Sequence, residues 1–92
     1  MAEGLVREVL VVNRLGIHAR AAAKFVTLAS RFDAEILVRN QRRTVNGKSI
    51  MGVMMLAAGK GTRIEIVAQG AEAEVAVDEL VRLVNGRFGE DE

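Results

Sequence analysis

Segments with strand periodicity and segments with helix periodicity alternate along this chain, and all of them are short. Runs rich in apolar and β-branched residues predict strands over residues 5–12, 35–40, 44–47 and 62–69. Helical spacing begins after residue 18, continues in a short segment over residues 50–57 and recurs over residues 71–85. The order β-α-β-β-α-β-α predicts an α+β fold, a two-layer sandwich in which helices cover one face of a mainly antiparallel sheet.

Each of the two longer predicted helices has one apolar stripe suited to packing on that sheet. The stripe comprises Ala22, Phe25, Val26, Ala29 and Phe32 in the first helix, and Ala73, Ala76, Val77, Leu80 and Val84 in the last. Gly86 is expected to end the last helix in the left-handed conformation. Residues 89–92 are then expected to form a frayed acidic tail.

The composition excludes several classes of function. One histidine and no cysteine rule out a disulfide framework and a thiolate or multi-histidine metal site. A net charge of +1 and only three aromatic residues argue against nucleic-acid binding. No apolar run approaches the roughly 18 residues that span a bilayer, and no secretion signal is visible. We expect a cytoplasmic domain over residues 1–92, with an ordered core over about 4–87, no cofactor and no membrane insertion.

The single histidine, His18, stands at the entrance to the first predicted helix. A helix start offers unpaired N–H donors and the positive end of the helix dipole. Gly16 lets the preceding loop approach a ligand closely, and the Arg20 guanidinium can fork onto phosphate oxygens. Because imidazole is nucleophilic near neutral pH, this constellation predicts a phosphoryl acceptor. The alternative is a capping or surface histidine with no chemical role.

Two segments resemble a known family. The sequence LGIHAR at residues 15–20, followed by AAKFV at 22–26, is similar to the active-site segment of the histidine-containing phosphocarrier proteins, the HPr family of the bacterial phosphoenolpyruvate-dependent phosphotransferase system. The sequence NGKSIMGVMML at residues 46–56 resembles the second signature of that family. The similarity extends from the first predicted strand to the last helix.

The resemblance implies a stoichiometric carrier rather than a complete enzyme. In such a carrier, His18 accepts a phosphoryl group at Nδ1 from phospho-enzyme I. The group then passes to an enzyme IIA domain for sugar uptake, and Arg20 binds phosphate oxygens. The implied fold is an open-faced β-sandwich, a four-stranded antiparallel sheet with three helices on one side. Ala21 departs from the family, which usually has proline there. Alanine leaves the first helical turn less rigid, and we expect transfer to survive because His18 and Arg20 are present.

Ser49 is expected to cap the short helix, and the resemblance implies a second role. In the family the matching serine can be phosphorylated by an HPr kinase/phosphorylase. Negative charge there would weaken docking of enzyme I. The resemblance further implies a partner-binding surface on the first and second helices, where methionine suits several partner shapes. Its residues are Ala19, Ala23, Thr27, Ile50, Met51 and Met54.

Other functions compete with the sugar-type carrier. Residues 32–35 and the ending at residues 88–92 favour the nitrogen-related, regulatory branch of the same system, whereas the intact stretch at 46–51 favours the HPr type. An allosteric protein that acts only through Ser49 is disfavoured because its relatives lack the active-site histidine. Nucleotide binding is discarded because Arg42 stands where a P-loop needs glycine. A hydrolase is disfavoured because no second acid or base lies near His18 in sequence. We expect a monomer.

Overall fold

The computed structural model describes residues 4–92, so residues 1–3 lie outside it. The elements follow one another in the predicted order. They are β1 (Leu5–Leu10), α1 (Ala19–Ala29), β2 (Glu35–Arg39), β3 (Thr44–Asn46), α2 (Ile50–Met54), β4 (Arg63–Gln69), α3 (Ala73–Asn85) and a 3₁₀ turn (Arg87–Gly89). The predicted fold class, with an antiparallel four-stranded sheet and three helices, is confirmed.

The strands lie in the order β1-β4-β2-β3, and every neighbouring pair is antiparallel. β4 is central because it pairs with β1 along one edge and with β2 along the other. Its Ile64, Ile66 and Ala68 are buried, as expected for alternate residues on one face of a strand. The opposite face carries ion pairs, among them one of 2.7 Å between Arg39 Nε and Glu65 Oε1. The sheet therefore has one packed face and one polar face.

Small side chains allow the helices to lie close to the packed face. Ala21, Ala22 and Ala29 of α1 are fully buried, and so is Ala76 of α3. Large apolar side chains fill the remaining space; those with no exposed surface include Phe25, Leu80, Val84 and Phe88. The core therefore extends from the sheet into the segment after α3. No helix among residues 4–92 is long and apolar enough to cross a membrane.

Several element ends differ from the predictions by one to three residues, and α1 ends at Ala29, so Phe32 of its predicted stripe lies outside the helix. The second helix ends at Met54 rather than at residue 57. Ala57 has φ +51, in the left-handed region, and its N–H bonds to Met54 O in a tight turn. A left-handed residue cannot continue a right-handed helix. The first strand likewise ends at Leu10, although Val11 N still donates to Thr62 O at 2.9 Å.

The predictions for the carboxyl end are wrong. Gly86 has φ −85 and is not left-handed; instead Arg87, Phe88 and Gly89 have φ values of +60, +54 and +78. This left-handed turn buries the Phe88 ring completely. Residues 89–92 are not a frayed tail, since Glu90 hydrogen-bonds to Asn13 and Glu92 pairs with Arg14. Burial of Phe88 offsets the strain of two non-glycine left-handed residues.

Candidate functional site

The loop between β1 and α1 is held in one shape by backbone contacts. Gly16 has φ +68, and a Cβ there would lie 2.5 Å from the Ala58 carbonyl oxygen. The next residue, Ile17, donates its N–H to the same oxygen at 2.9 Å. On the other side, Asn13 Nδ2 donates to Gly16 O at 2.8 Å, and the Asn13 side chain is fully buried. Only glycine fits this close approach to the Ala58 backbone, so Gly16 has a packing role that was not predicted from the sequence.

His18 follows this loop and is the N-cap of α1. Its backbone is extended, and its Nδ1 accepts a hydrogen bond from the Arg20 N–H at 3.3 Å. The side chain is 28% exposed, so the ring is accessible from solvent. The Nδ1 atom thus lies at the amino end of an eleven-residue helix, where the backbone dipole favours negative charge.

The other ring nitrogen of His18, Nε2, contacts the Glu90 carboxylate, which was not predicted from the sequence. Glu90 Oε2 is 2.5 Å from His18 Nε2, and Glu90 Oε1 accepts from Asn13 Nδ2 at 2.9 Å. The hydrogen bond from Asn13 has the largest effect and lowers the pKa of the Glu90 carboxyl; burial opposes this shift, and the contact with His18 and the positive charge of Lys24 lower the pKa further. Glu90 is 72 positions from His18. The one sequence signal for Glu90 was its position in the acidic stretch at residues 89–92, and that stretch was expected to be frayed.

The segment around Glu90 is anchored on both sides. Before it, Lys24 Nζ on α1 donates to the Phe88 carbonyl oxygen at 2.7 Å, and the Phe88 ring is buried. After it, the Arg14 N–H bonds to the Glu92 carbonyl oxygen, and the side chains of these two residues form an ion pair at 3.4 Å. These contacts hold residues 87–92, the C-terminal segment, against the loop that carries His18.

His18, Arg20 and Glu90 line one open cleft of about 350 Å³. The Arg20 side chain is exposed, and among residues 4–92 its guanidinium has no ion pair. The cleft therefore combines a nucleophilic ring nitrogen, a helix amino terminus and an available guanidinium, which together suit a phosphoryl group. Within residues 4–92 no cluster of three or more histidine or acidic residues could hold a metal ion.

Ser49 caps α2 as predicted, since its Oγ accepts from the Gly52 N–H at 3.1 Å. Directly after it lies an apolar patch that we call the methionine patch. Its members are exposed, with Met51 at 72%; they are Ile50, Met51, Met54 and Met55. Of the neighbouring helical residues only Val53 is buried. Val53 is therefore the one residue of α2 that packs into the core.

The remaining predicted contact residues lie on α1, which packs against α2. Ala19 and Thr27 are exposed and Ala23 is half-buried, and their spacing of four places them on one helix face. Ala21, at the position of the family proline, is fully buried in the first turn of α1. The structure thus brings His18 and Arg20 together in the cleft and places Ser49 and the other contact residues on the two packed helices.

Comparison with known proteins decides the family. Residues 5–86 match the family model described as "PTS HPr component phosphorylation site". The chain belongs to the HPr family of phosphotransferase-system phosphocarriers. It is 51% identical to phosphocarrier protein HPr of Pseudomonas aeruginosa over 86 residues, which cover 92% of this chain and 96% of that protein.

A structural relative and a second sequence relative are also similar to this HPr-family chain. The crystal structure of HPr-C-His from Thermoanaerobacter tengcongensis superposes with a TM-score of 0.91 at 39% identity, covering 96% of this chain and 99% of that one. Phosphocarrier protein NPr of Shewanella violacea is 41% identical over 86 residues and 94% of either chain. The resemblance inferred from the two sequence motifs is therefore confirmed.

Proposed function

We propose that this chain carries a phosphoryl group on His18 Nδ1, from phospho-enzyme I to enzyme IIA domains in phosphoenolpyruvate-dependent sugar uptake. One observation supports this most. Nδ1 lies at the amino end of α1, in the same cleft as the exposed Arg20 guanidinium. The helix end and Arg20 stabilise the bound phosphoryl oxygens, while the open cleft lets a partner take the group away.

The partner surface proposed for this carrier combines the cleft with the methionine patch. Four neighbouring exposed apolar side chains on a short helix are unusual for a surface that stays in water. Methionine is unbranched and adapts to different shapes, which suits a carrier that docks on an unrelated donor and acceptor. Ala19, Ala23 and Thr27 on α1 are proposed to extend this surface. We further propose that the chain acts as one monomeric, cytoplasmic domain over residues 1–92.

The proposed function is tested by incubating the protein with cognate enzyme I and radiolabelled phosphoenolpyruvate. We expect one phosphoryl group per chain, bound in an acid-labile and base-stable linkage. A phosphohistidine has this pattern, and His18 is the only histidine of the sequence. Labelled protein should then lose the label to a cognate enzyme IIA domain. Absence of label, or label that survives acid, contradicts the proposal.

Ser49 is proposed as a regulatory phosphorylation site for an HPr kinase/phosphorylase. A phosphate on its Oγ would sit at the start of α2, next to the exposed Ile50 and Met51. The added negative charge would oppose docking of an apolar partner surface on the methionine patch. Regulation at Ser49 is therefore expected to act on partner binding rather than on the His18 ring itself.

The chain offers a matched control for this site, because Ser30 and Ser49 are its only serines. With a cognate kinase and ATP, Ser30→Ala should be labelled like the wild type, and Ser49→Ala should not be labelled. Acid-stable label on Ser49→Ala would refute the assignment. Phosphorylated wild-type protein should also accept phosphoryl groups from enzyme I more slowly than unmodified protein.

The second candidate is a regulatory carrier of the nitrogen-related branch. A relative named NPr is 41% identical to the chain, which is below the 51% identity of the named HPr. The NGKSIM stretch at residues 46–51 also favours the HPr type. Rates of phosphorylation by the two kinds of enzyme I, measured side by side, separate these functions.

A further inference from the structure

The contact of Glu90 with His18 bears on which ring nitrogen of the histidine carries the proton. The Glu90 pKa is lowered, so the carboxylate is ionised near neutral pH and can only accept hydrogen bonds. Its contact with Nε2 therefore requires a proton on Nε2. Independently, Nδ1 accepts the Arg20 backbone N–H, which requires a lone pair on Nδ1. Two separate contacts thus favour the same tautomer, in which Nδ1 is unprotonated and its lone pair can attack phosphorus once the Arg20 N–H releases it.

The position of Glu90 is itself imposed by the surrounding structure. Its two oxygens have different partners, Asn13 Nδ2 on one side and His18 Nε2 on the other. The Asn13 amide is buried and also donates to Gly16 O, so its orientation is defined by two acceptors. The Glu90 side chain is only 16% exposed. This is the arrangement by which an outer residue orients a reactive ring.

We propose that Glu90 is a positioning residue for phosphoryl transfer, holding the His18 ring in place through Nε2 and keeping the proton there throughout the reaction. This inference rests on the proposed function. In the forward step the Nδ1 lone pair gives up the hydrogen bond from the Arg20 N–H and forms the bond to phosphorus, and the bond from phosphorus to the donor nitrogen of enzyme I breaks, its electron pair returning to that nitrogen. The His18 ring then keeps its Nε2 proton and carries a positive charge beside the Glu90 carboxylate.

The chain supplies a matched control at the next position. Asp91 also belongs to the C-terminal segment, is exposed, and makes no hydrogen bond or ion pair among residues 4–92. Glu90→Ala and Asp91→Ala therefore remove one carboxylate each from the same segment. Effects of overall charge on docking of enzyme I should be similar in the two variants, whereas only Glu90→Ala removes the bond to His18.

The first measurement uses unphosphorylated protein and does not depend on any partner. In ¹H–¹⁵N spectra of the ring, wild type and Asp91→Ala should show a proton on Nε2 that is protected from exchange by its bond to Glu90, and an unprotonated Nδ1. In Glu90→Ala the Nε2 proton signal should be lost through rapid exchange with water. A ring proton found on Nδ1 in the wild type, or a Nε2 signal that persists in Glu90→Ala, overturns the inference.

The second measurement is the rate of phosphorylation by cognate enzyme I. Glu90→Ala should be slower than the wild type by about tenfold, the lower end of the loss seen when a carboxylate that orients a metal-bound histidine is removed, while Asp91→Ala stays close to the wild type. Glu90→Ala as fast as Asp91→Ala overturns the positioning role whatever the spectra show. If the wild type accepts no phosphoryl group at all, the proposed function fails, and the spectra alone decide whether Glu90 orients the ring.

Discussion

Replacement of His18 by asparagine is expected to abolish phosphoryl acceptance, with a fall of at least about 10³-fold in the rate of labelling by enzyme I. Asparagine is chosen because its Oδ1 can take the place of Nδ1 as acceptor of the Arg20 N–H, so the N-cap of α1 is preserved. An amide oxygen or nitrogen is a far poorer nucleophile than a neutral imidazole. Loss of label then reports the missing nucleophile rather than a lost helix cap.

Two controls accompany this variant. Thermal unfolding should show that His18→Asn stays folded, with a loss of stability no larger than the roughly 1 kcal/mol typical of an altered N-cap. Ser49 of the variant should still accept label from a cognate kinase, which shows that the α2 surface is intact. Acid-labile label retained on folded His18→Asn would mean that another group is the acceptor, and the proposed function would be wrong.

Phe88→Ala is expected to have the largest effect on the free energy of unfolding. It should also disturb the contact between Glu90 and His18, although Phe88 does not line the cleft that holds them. The Phe88 ring is fully buried, and truncating a buried phenylalanine destabilises a domain by about 3–5 kcal/mol. Without the ring, only the polar contacts of the segment remain to offset the strain of the left-handed Arg87 and Phe88 backbone. The C-terminal segment should therefore detach and withdraw Glu90 from His18. Denaturant unfolding measures the first effect, and the Nε2 proton signal measures the second.

Phe32→Ala is the matched control, because it makes the same truncation at a partly buried ring beyond the end of α1. It should be less destabilised, and its His18 Nε2 signal and phosphorylation rate should resemble those of the wild type. Both variants are compared at a temperature where each is folded. If Phe88→Ala keeps a protected Nε2 proton, the ring does not anchor Glu90.

The sequence was sufficient to predict those parts of the fold and the site that depend on local residue patterns. Alternating residues such as Ile64 and Ile66 predicted β4, and the α1 stripe around Phe25 predicted the buried helix face. His18 and Arg20 were found because they are two positions apart on one helix turn. The strand order was not predictable from periodicity, since alternation shows which face is buried but not which strand lies alongside.

The parts that were missed depend on contacts between distant residues. Glycine is the usual left-handed residue at a helix end, so Gly86 was the natural choice. The structure instead places Arg87 and Phe88 there, because the burial of one ring outweighs the local preference. That choice determines the path of the segment that brings Glu90 to His18. A residue whose role depends on a tertiary contact 72 positions away leaves no periodic signal in its own neighbourhood.

The anchoring of the C-terminal segment by Phe88 has a consequence for genetic screens. Because the buried Phe88 ring helps to hold Glu90 in place, substitutions that reshape the pocket around the ring should slow phosphoryl transfer although they lie outside the cleft. Alleles with such substitutions would encode folded protein with intact His18 and Arg20. A selection for lost phosphotransfer in this chain should therefore recover two groups of mutants. One group has substitutions in the cleft, and the other has substitutions in the core around Phe88, whose relation to the cleft is evident only from the structure.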